Sequence, residues 1–288
     1  MSTLLMTRTD IGQHFEALTL LSELREALRV ESESRARGSP GTPLSPERLS
    51  PGGMPGTLPG IPAYTVRAYA RLPGGSPAQQ DVVKLHDQET GALLAVMEAE
   101  HLVGIRTGLL GALAVDVLAR PDASRVALLG AGAYASLHLK SLRLVRSLSH
   151  LRIWDGDMLK AAQLATRTYQ TLSLPAHPAF SVEEAVEDAD IVLVSTPSRP
   201  PGLSLEQLRP GTHVSLPGGE VPAALPAHAT FLNELGEVLS GATSGRTRPE
   251  QLTVFGMGGV PFLDLVTAWH VYLGAREDES LRRLDAPL

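Results

Sequence analysis

Cysteine is absent from the 288 residues, which excludes disulfides, iron–sulfur clusters, thiolate zinc sites and a cysteine nucleophile, and fits a reducing compartment. Basic residues are outnumbered, 25 Lys+Arg against 31 Asp+Glu for a formal charge of -6, so no broad cationic surface is on offer and nucleic acid is not an expected partner. Long apolar runs are missing too. The best candidate, Gly108 to Ala119, is short and interrupted by Asp116, whereas a membrane span needs about 20 residues, and no membrane partner is expected. The opening MSTLLMTRTD lacks a basic segment followed by an apolar one, so the expected setting is cytoplasmic. Nine histidines are scattered without metal-ligand spacing, and neither a G-x-S-x-G elbow nor a phosphate-binding G-x-x-x-x-G-K-[ST] loop occurs. Metal, hydrolase and phosphoryl-transfer chemistry therefore find no support. The two tryptophans, Trp154 and Trp269, stand in apolar stretches and read as packing.

What is present is enough for a globular protein. Hydrophobic residues make up 43% and charged residues 19%, and the length suits one large or two modest domains. Apolar positions Ile11, Phe15, Leu18, Leu21, Leu24 and Leu28 recur at helical spacing, predicting one helix over 10–30. From Gly38 to Pro62 six glycines and seven prolines rule out a helix or a central strand. Extended segments follow at Ala63–Ala70, Asp81–Leu85 and Ala92–Met97, the last two forming a hairpin across Asp87–Gly91. A helix is expected to begin after Arg106-Thr107, with Leu109, Leu110, Leu113, Ala114, Val117 and Leu118 on one face and Arg120-Pro121 at its end.

Thereafter short apolar runs alternate with amphipathic stretches: Val126–Leu129, Ala133–Val145, Leu151–Trp154, Met158–Tyr169, Ile191–Val194, His213–Leu216. Such alternation predicts a doubly wound parallel sheet of the α/β class. Its first strand runs into Gly130-Ala131-Gly132-Ala133-Tyr134-Ala135, a GxGxxA turn opening a helix. Gly130 permits the tight turn, Gly132 lets a pyrophosphate approach the backbone, and Ala135 lets the helix pack closely on the strand. The helix start adds backbone donors and positive dipole. Asp155, 23 residues beyond Gly132 at the end of the second strand, sits where an acid takes the ribose hydroxyls and repels a 2′-phosphate. Gly156 follows it rather than an arginine, so NAD is favoured over NADP. Ser195-Thr196-Pro197 follows another buried strand at the edge where cofactors bind such sheets. Gly256, Gly258 and Gly259 offer either close approach to a nicotinamide or a simple turn.

These motifs carry a resemblance. Lys84 to Gly91, His101 to Thr107, the glycine turn, Ile153-Trp154-Asp155, Gly241-Ala242-Thr243-Ser244-Gly245-Arg246 and Thr253-Val254-Phe255 together resemble the ornithine cyclodeaminase and mu-crystallin family, in order from about Arg67 to Tyr272. The resemblance implies a substrate-binding and dimerisation domain of α+β type from residues 1–105 and 256–288, a Rossmann domain from 106–255, and a homodimer. It also implies hydride exchange between a nicotinamide cofactor and the α-carbon of a small amino acid or cyclic imino acid.

Arg106 matches the family arginine that holds the substrate carboxylate, and an arginine at a helix start beside the Thr107 hydroxyl is an anion site in its own right. Arg67 stands where family members carry a lysine; it can bind a carboxylate but cannot shuttle protons. Arg48 aligns with a further carboxylate-binding arginine, with a solvated loop charge as the alternative. Glu220 replaces the aspartate that cyclodeaminases use as acid/base, and Ala224 and Pro226 replace a lysine and a glutamate. Three changes in one loop weigh toward a dehydrogenase or imine reductase, leaving ornithine cyclodeamination and a catalytically decayed nucleotide-binding protein as alternatives. Asp264 matches a family aspartate at the start of the last helix, where capping suffices to explain it.

Overall fold

Among the described residues of the computed structural model, which are 2–36, 55–71, 79–196, 203–217, 229–232, 235–257 and 261–284, two sheets are present. The chain divides into two compact units. One takes Met1–Arg106 together with Val260–Leu288, the other Thr107–Gly259.

In the first unit the N-terminal helical pattern breaks in two, α1 at Arg8–Gln13 and α2 at Ala17–Ala36, where one continuous helix was expected. The break has a local cause. His14 bonds the Asp10 carbonyl with Nδ1 (2.7 Å) and Asp278 with Nε2 (3.0 Å), while the Glu16 carboxylate takes the backbone N–H groups of Leu18 and Thr19, the first donors a new helix leaves unpaired. The interruption rotates the buried face onto Leu20, Leu21, Leu24 and Leu28 and leaves Leu18 exposed. The sheet runs β12-β1-β4-β3-β2, from β1 (Thr3–Met6), β2 (Ala63–Arg71), β3 (Gln79–Asp87), β4 (Leu93–Glu98) and β12 (Arg282–Leu284). The hairpin turn forms as the sequence suggests: Asp87 Oδ1 accepts from the backbone of Glu89 and Thr90 and from the Thr90 hydroxyl. Gly91 closes the turn at φ 72°, where L side chains are strained. Strands β1 and β12, four and three residues long, are too short to show a period.

The helix expected to begin after Arg106-Thr107 begins earlier: α3 spans Ala99–Leu118. Glu98 caps it, its carboxylate accepting from Glu100 N (3.0 Å) and His101 N (2.9 Å). Residues 102–115 are buried on every side, so no polar stripe marks the helical period. This helix is apolar and long enough to cross a membrane by length and composition, yet 83% of that window is buried inside the protein; it is a core helix.

The second unit carries a parallel sheet ordered β10-β11-β9-β8-β5-β6-β7. Its strands are β5 (Arg125–Leu129), β6 (His150–Trp154), β7 (Ala176–Pro178), β8 (Ile191–Val194), β9 (His213–Pro217), β10 (Ala229–Leu232) and β11 (Leu252–Met257). Helices α4 (Ala135–Leu142), α5 (Met158–Leu172), α6 (Val182–Val186) and α7 (Leu235–Leu239) lie between strands in the chain, and α8 (Pro261–Ala275) belongs to the first unit. Strand side chains alternate between two cores. Val126, Leu128, Ile153 and Leu193 pack with Ala135, Leu139 and Leu164, whereas Ala127, Leu129, Val192 and Val214 pack with Val182 and Ala185. Burial on both faces explains why these strands read as continuous apolar runs. The strand order reverses between β5 and β8, and in such folds ligands bind at the carboxyl ends flanking that point.

Candidate active site

At that switch point two turns meet. Strand β5 ends in Gly130, whose N–H donates to the Trp154 carbonyl at 2.7 Å and whose φ is 107°. A Cβ there would stand 2.7 Å from Thr196 Cγ2 and 3.0 Å from the Ser195 carbonyl carbon, so only glycine fits. Ser195, after β8, donates its N–H to the Leu129 carbonyl at 2.8 Å, locking the second turn against the first. Its hydroxyl is buried without a hydrogen-bond partner, an unusual state for a native polar atom and one that a bound group would relieve.

Gly132 is different in kind. It is exposed, and a Cβ on it would touch nothing within 4 Å, so no contact inside the protein demands glycine; room for something external does. Beyond it, Ala133 is exposed and α4 starts at Ala135 after Tyr134, with no side chain capping it. Helix starts left open in this way bind phosphate. The helix is shorter than expected, beginning two residues after Ala133. Ala135 is fully buried in the core shared with Val126 and Leu128, close packing that a larger residue would obstruct.

Asp155 follows β6. Its Oδ2 accepts from the Ala131 N–H at 2.8 Å and its Oδ1 from the Asp157 N–H at 2.8 Å, so the acid is fixed to the glycine turn itself. Spacing alone gives no hint of that link. Gly130–Ala135, Asp155, Ser195 and Thr196 thus form one constellation, and its backbone donors, glycine opening and orphaned hydroxyl fit a dinucleotide. Pro197 and Gly259 lie outside the described residues.

The arginines have other surroundings. Arg106 lies two turns inside α3, so the expected help from a helix N-terminus is missing there. Instead its Nε is 3.2 Å from Asp264 Oδ1, and Arg106, Thr107 and Asp264 are 7, 7 and 8% exposed. Asp264 is the fourth residue of α8. It therefore is not the helix cap the sequence suggests but the buried counter-ion of Arg106. Arg67, on β2, gives both Nε (3.0 Å) and Nη2 to Asp81 Oδ2 on β3; an acid inside the apolar Asp81-Val82-Val83 segment is the one sequence sign of that pairing. Arg48 and Glu220 lie outside the described residues.

Two histidines are neutral at pH 7 because burial disfavours their charge. His138, on α4, is pushed down to about 4 by burial, and neither ring nitrogen has a hydrogen-bond partner. His213, on β9, is pushed down to about 3, by burial first and then by the Arg246 and Arg146 charges. Its Nδ1 meets Thr253 Oγ1 at 3.0 Å. Arg246, from the Gly241–Arg246 motif, donates to the carbonyls of Leu118, Pro249, Gln251 and Thr212 and to the Thr253 hydroxyl, tying off the end of α3.

Fold and site together define a two-unit α/β protein with a Rossmann-type sheet. The sequence profile of the Ornithine cyclodeaminase/mu-crystallin family matches residues 1–228 and 222–279, and the chain belongs to that family. It is 27% identical over 294 residues to a Delta(1)-pyrroline-2-carboxylate reductase of Bacillus thuringiensis subsp. konkukian, covering 88% of this chain and 90% of the other. Two solved structures share the fold: an archaeal alanine dehydrogenase dimer with bound NAD (TM-score 0.82, 24% identity, 99% of each chain), and the Thermococcus litoralis Delta(1)-pyrroline-2-carboxylate reductase with NADH and L-proline (TM-score 0.79, 21% identity, 98% of this chain and 100% of the other).

Proposed function

We propose that the protein is an NAD-dependent oxidoreductase exchanging hydride at the α-carbon of a small α-amino acid or cyclic imino acid. The observation that carries this is Gly132, exposed and free of any contact that a Cβ would disturb, beside an uncapped helix start. When bound, the cofactor supplies the hydride. The chain's own residues do the rest. The Gly130–Ala135 turn receives the pyrophosphate at its exposed Gly132–Ala133 backbone, and the Ser195 hydroxyl, with Thr196 and Pro197 after it in the chain, is proposed to serve the same ligand. Asp155, held by two backbone N–H groups, meets the adenosine ribose and disfavours a 2′-phosphate, which is the basis for preferring NAD to NADP. Gly259 is, by residue type, the further candidate for a nicotinamide contact.

Arg106 grips the substrate carboxylate with the Thr107 hydroxyl beside it, and its charge is held in place by Asp264. Arg67, engaged by Asp81, adds N–H donors without moving a proton, and Arg48 is the further candidate for the carboxylate. Glu220 is the carboxylate proposed to exchange the proton with the imine nitrogen. A cytoplasmic homodimer belongs to the same reading. Thr65 on β2 is buried, while its neighbour Tyr64 stacks on His86 at 4.9 Å on the opposite, part-exposed face. That face is the proposed seam between two copies.

The test is turnover: Δ1-pyrroline-2-carboxylate and other cyclic imines with NADH, and small amino acids with NAD. Consumption or formation of NADH with one of them is expected. Silence across both panels, in folded protein, overturns the reading.

A further inference from the structure

Arg106 and Asp264 come from helices far apart in the sequence, yet both belong to the first unit and both are almost wholly buried. Two opposite charges 3.2 Å apart make a site of zero net charge in a medium of low dielectric. Capping does not account for Asp264, which lies inside the first turn of α8 with its carboxylate against the guanidinium. The neutrality of the pair has a consequence for any ligand that approaches it. A lone carboxylate would add one uncompensated negative charge to a buried site, which is costly. A zwitterion adds none. Its carboxylate meets the arginine, and its ammonium or iminium N–H offers the aspartate a donor in return.

We propose that Asp264 is a specificity-determining residue: with Arg106 it forms a neutral clamp that admits α-amino and cyclic imino acids and rejects 2-hydroxy acids and cyclic ethers of the same shape. This rests on the reading of Arg106 as the carboxylate holder. The clamp selects through the nitrogen attached to the α-carbon, leaving the side chain to other walls of the pocket. It therefore discriminates between ligands of the same shape that differ only in carrying nitrogen or oxygen.

Two matched pairs test it: L-proline against tetrahydro-2-furoate, and L-alanine against L-lactate. Calorimetry on the full chain saturated with NADH gives the affinity ratio in each pair. The nitrogen member is expected to bind roughly thirtyfold tighter or better, the scale of truncating one partner of a buried charge pair. In Asp264→Asn the ratio should collapse toward unity, while Arg106→Lys should weaken both members of a pair alike. A wild-type ratio near one, or an unchanged ratio in Asp264→Asn, overturns the clamp. The wild-type measurement decides even if the variant fails to fold. If an imine is reduced while the wild-type ratio is near one, only the clamp fails; if no member of either pair binds and no imine is reduced, the oxidoreductase reading fails and takes the clamp with it.

Discussion

The two units build their candidate sites by opposite means. In the Rossmann unit the site is backbone. Gly130 exists for its φ and its contact with Ser195 and Thr196, Gly132 for empty space, and Asp155 is anchored by N–H groups. In the other unit the site is made of side-chain charges paired across elements, Arg106 with Asp264 and Arg67 with Asp81. A backbone site depends on local conformation and leaves a local signature, whereas a paired-charge site depends on the tertiary fold and leaves almost none.

Substitutions should separate the two. The largest effect on stability is expected for Arg106→Met, which strands a buried Asp264 charge: about 3–5 kcal/mol by urea unfolding, with NADH affinity of the surviving folded fraction unchanged. A loss below about 1 kcal/mol would mean that the pair is solvated. Gly130→Val should act on the other unit, forcing a β-branched residue to φ 107° against Thr196. That conformation costs about 1–3 kcal/mol, and fluorescence titration should show NADH binding lost; retained binding would separate the turn from the cofactor.

Acid should then strike the Rossmann unit. His138 and His213 are held neutral by burial, with folded values of about 4 and about 3 against the usual 6.5. Their contribution is complete above pH 6.5 and is lost as pH falls toward those values. On the order of 3 kcal/mol is at stake for His138. The unfolding free energy of wild type should therefore fall relative to that of His138→Leu between pH 7 and pH 4.5, and a difference independent of pH would contradict the assignment. A smaller effect is expected of Asp155→Ser, which removes the charge opposing a 2′-phosphate and should move the NADPH-to-NADH affinity ratio upward by about tenfold; no change would detach Asp155 from the ribose.

The legibility of the sequence follows the same division. The glycine turn, the parallel sheet and the acid after β6 are readable because a positive φ, burial on both faces and a fixed strand spacing each restrict residue type locally. The start of α3 is misplaced by nine residues because 102–115 are buried all round and show no polar stripe. The break at His14 escapes notice because it is stabilised by Asp278, near the other end of the chain. Asp264 reads as a cap for the same reason: position in a helix is visible in a sequence, and a partner on another helix is not. The resemblance to a family supplied Arg106 as a carboxylate holder and Asp264 as a matching aspartate, but not the pairing of the two.

The claim beneath all of this is that a nicotinamide dinucleotide lies against the Gly130–Ala135 turn, and Gly132→Ala tests it with least disturbance. Because a Cβ at that position meets nothing within 4 Å, the melting temperature should stay put, while the NADH dissociation constant from fluorescence titration should rise by about tenfold, a methyl group displacing the pyrophosphate from its donors. Equal NADH affinity in wild type and variant, or no association of NADH with wild type at millimolar concentration, would contradict the account.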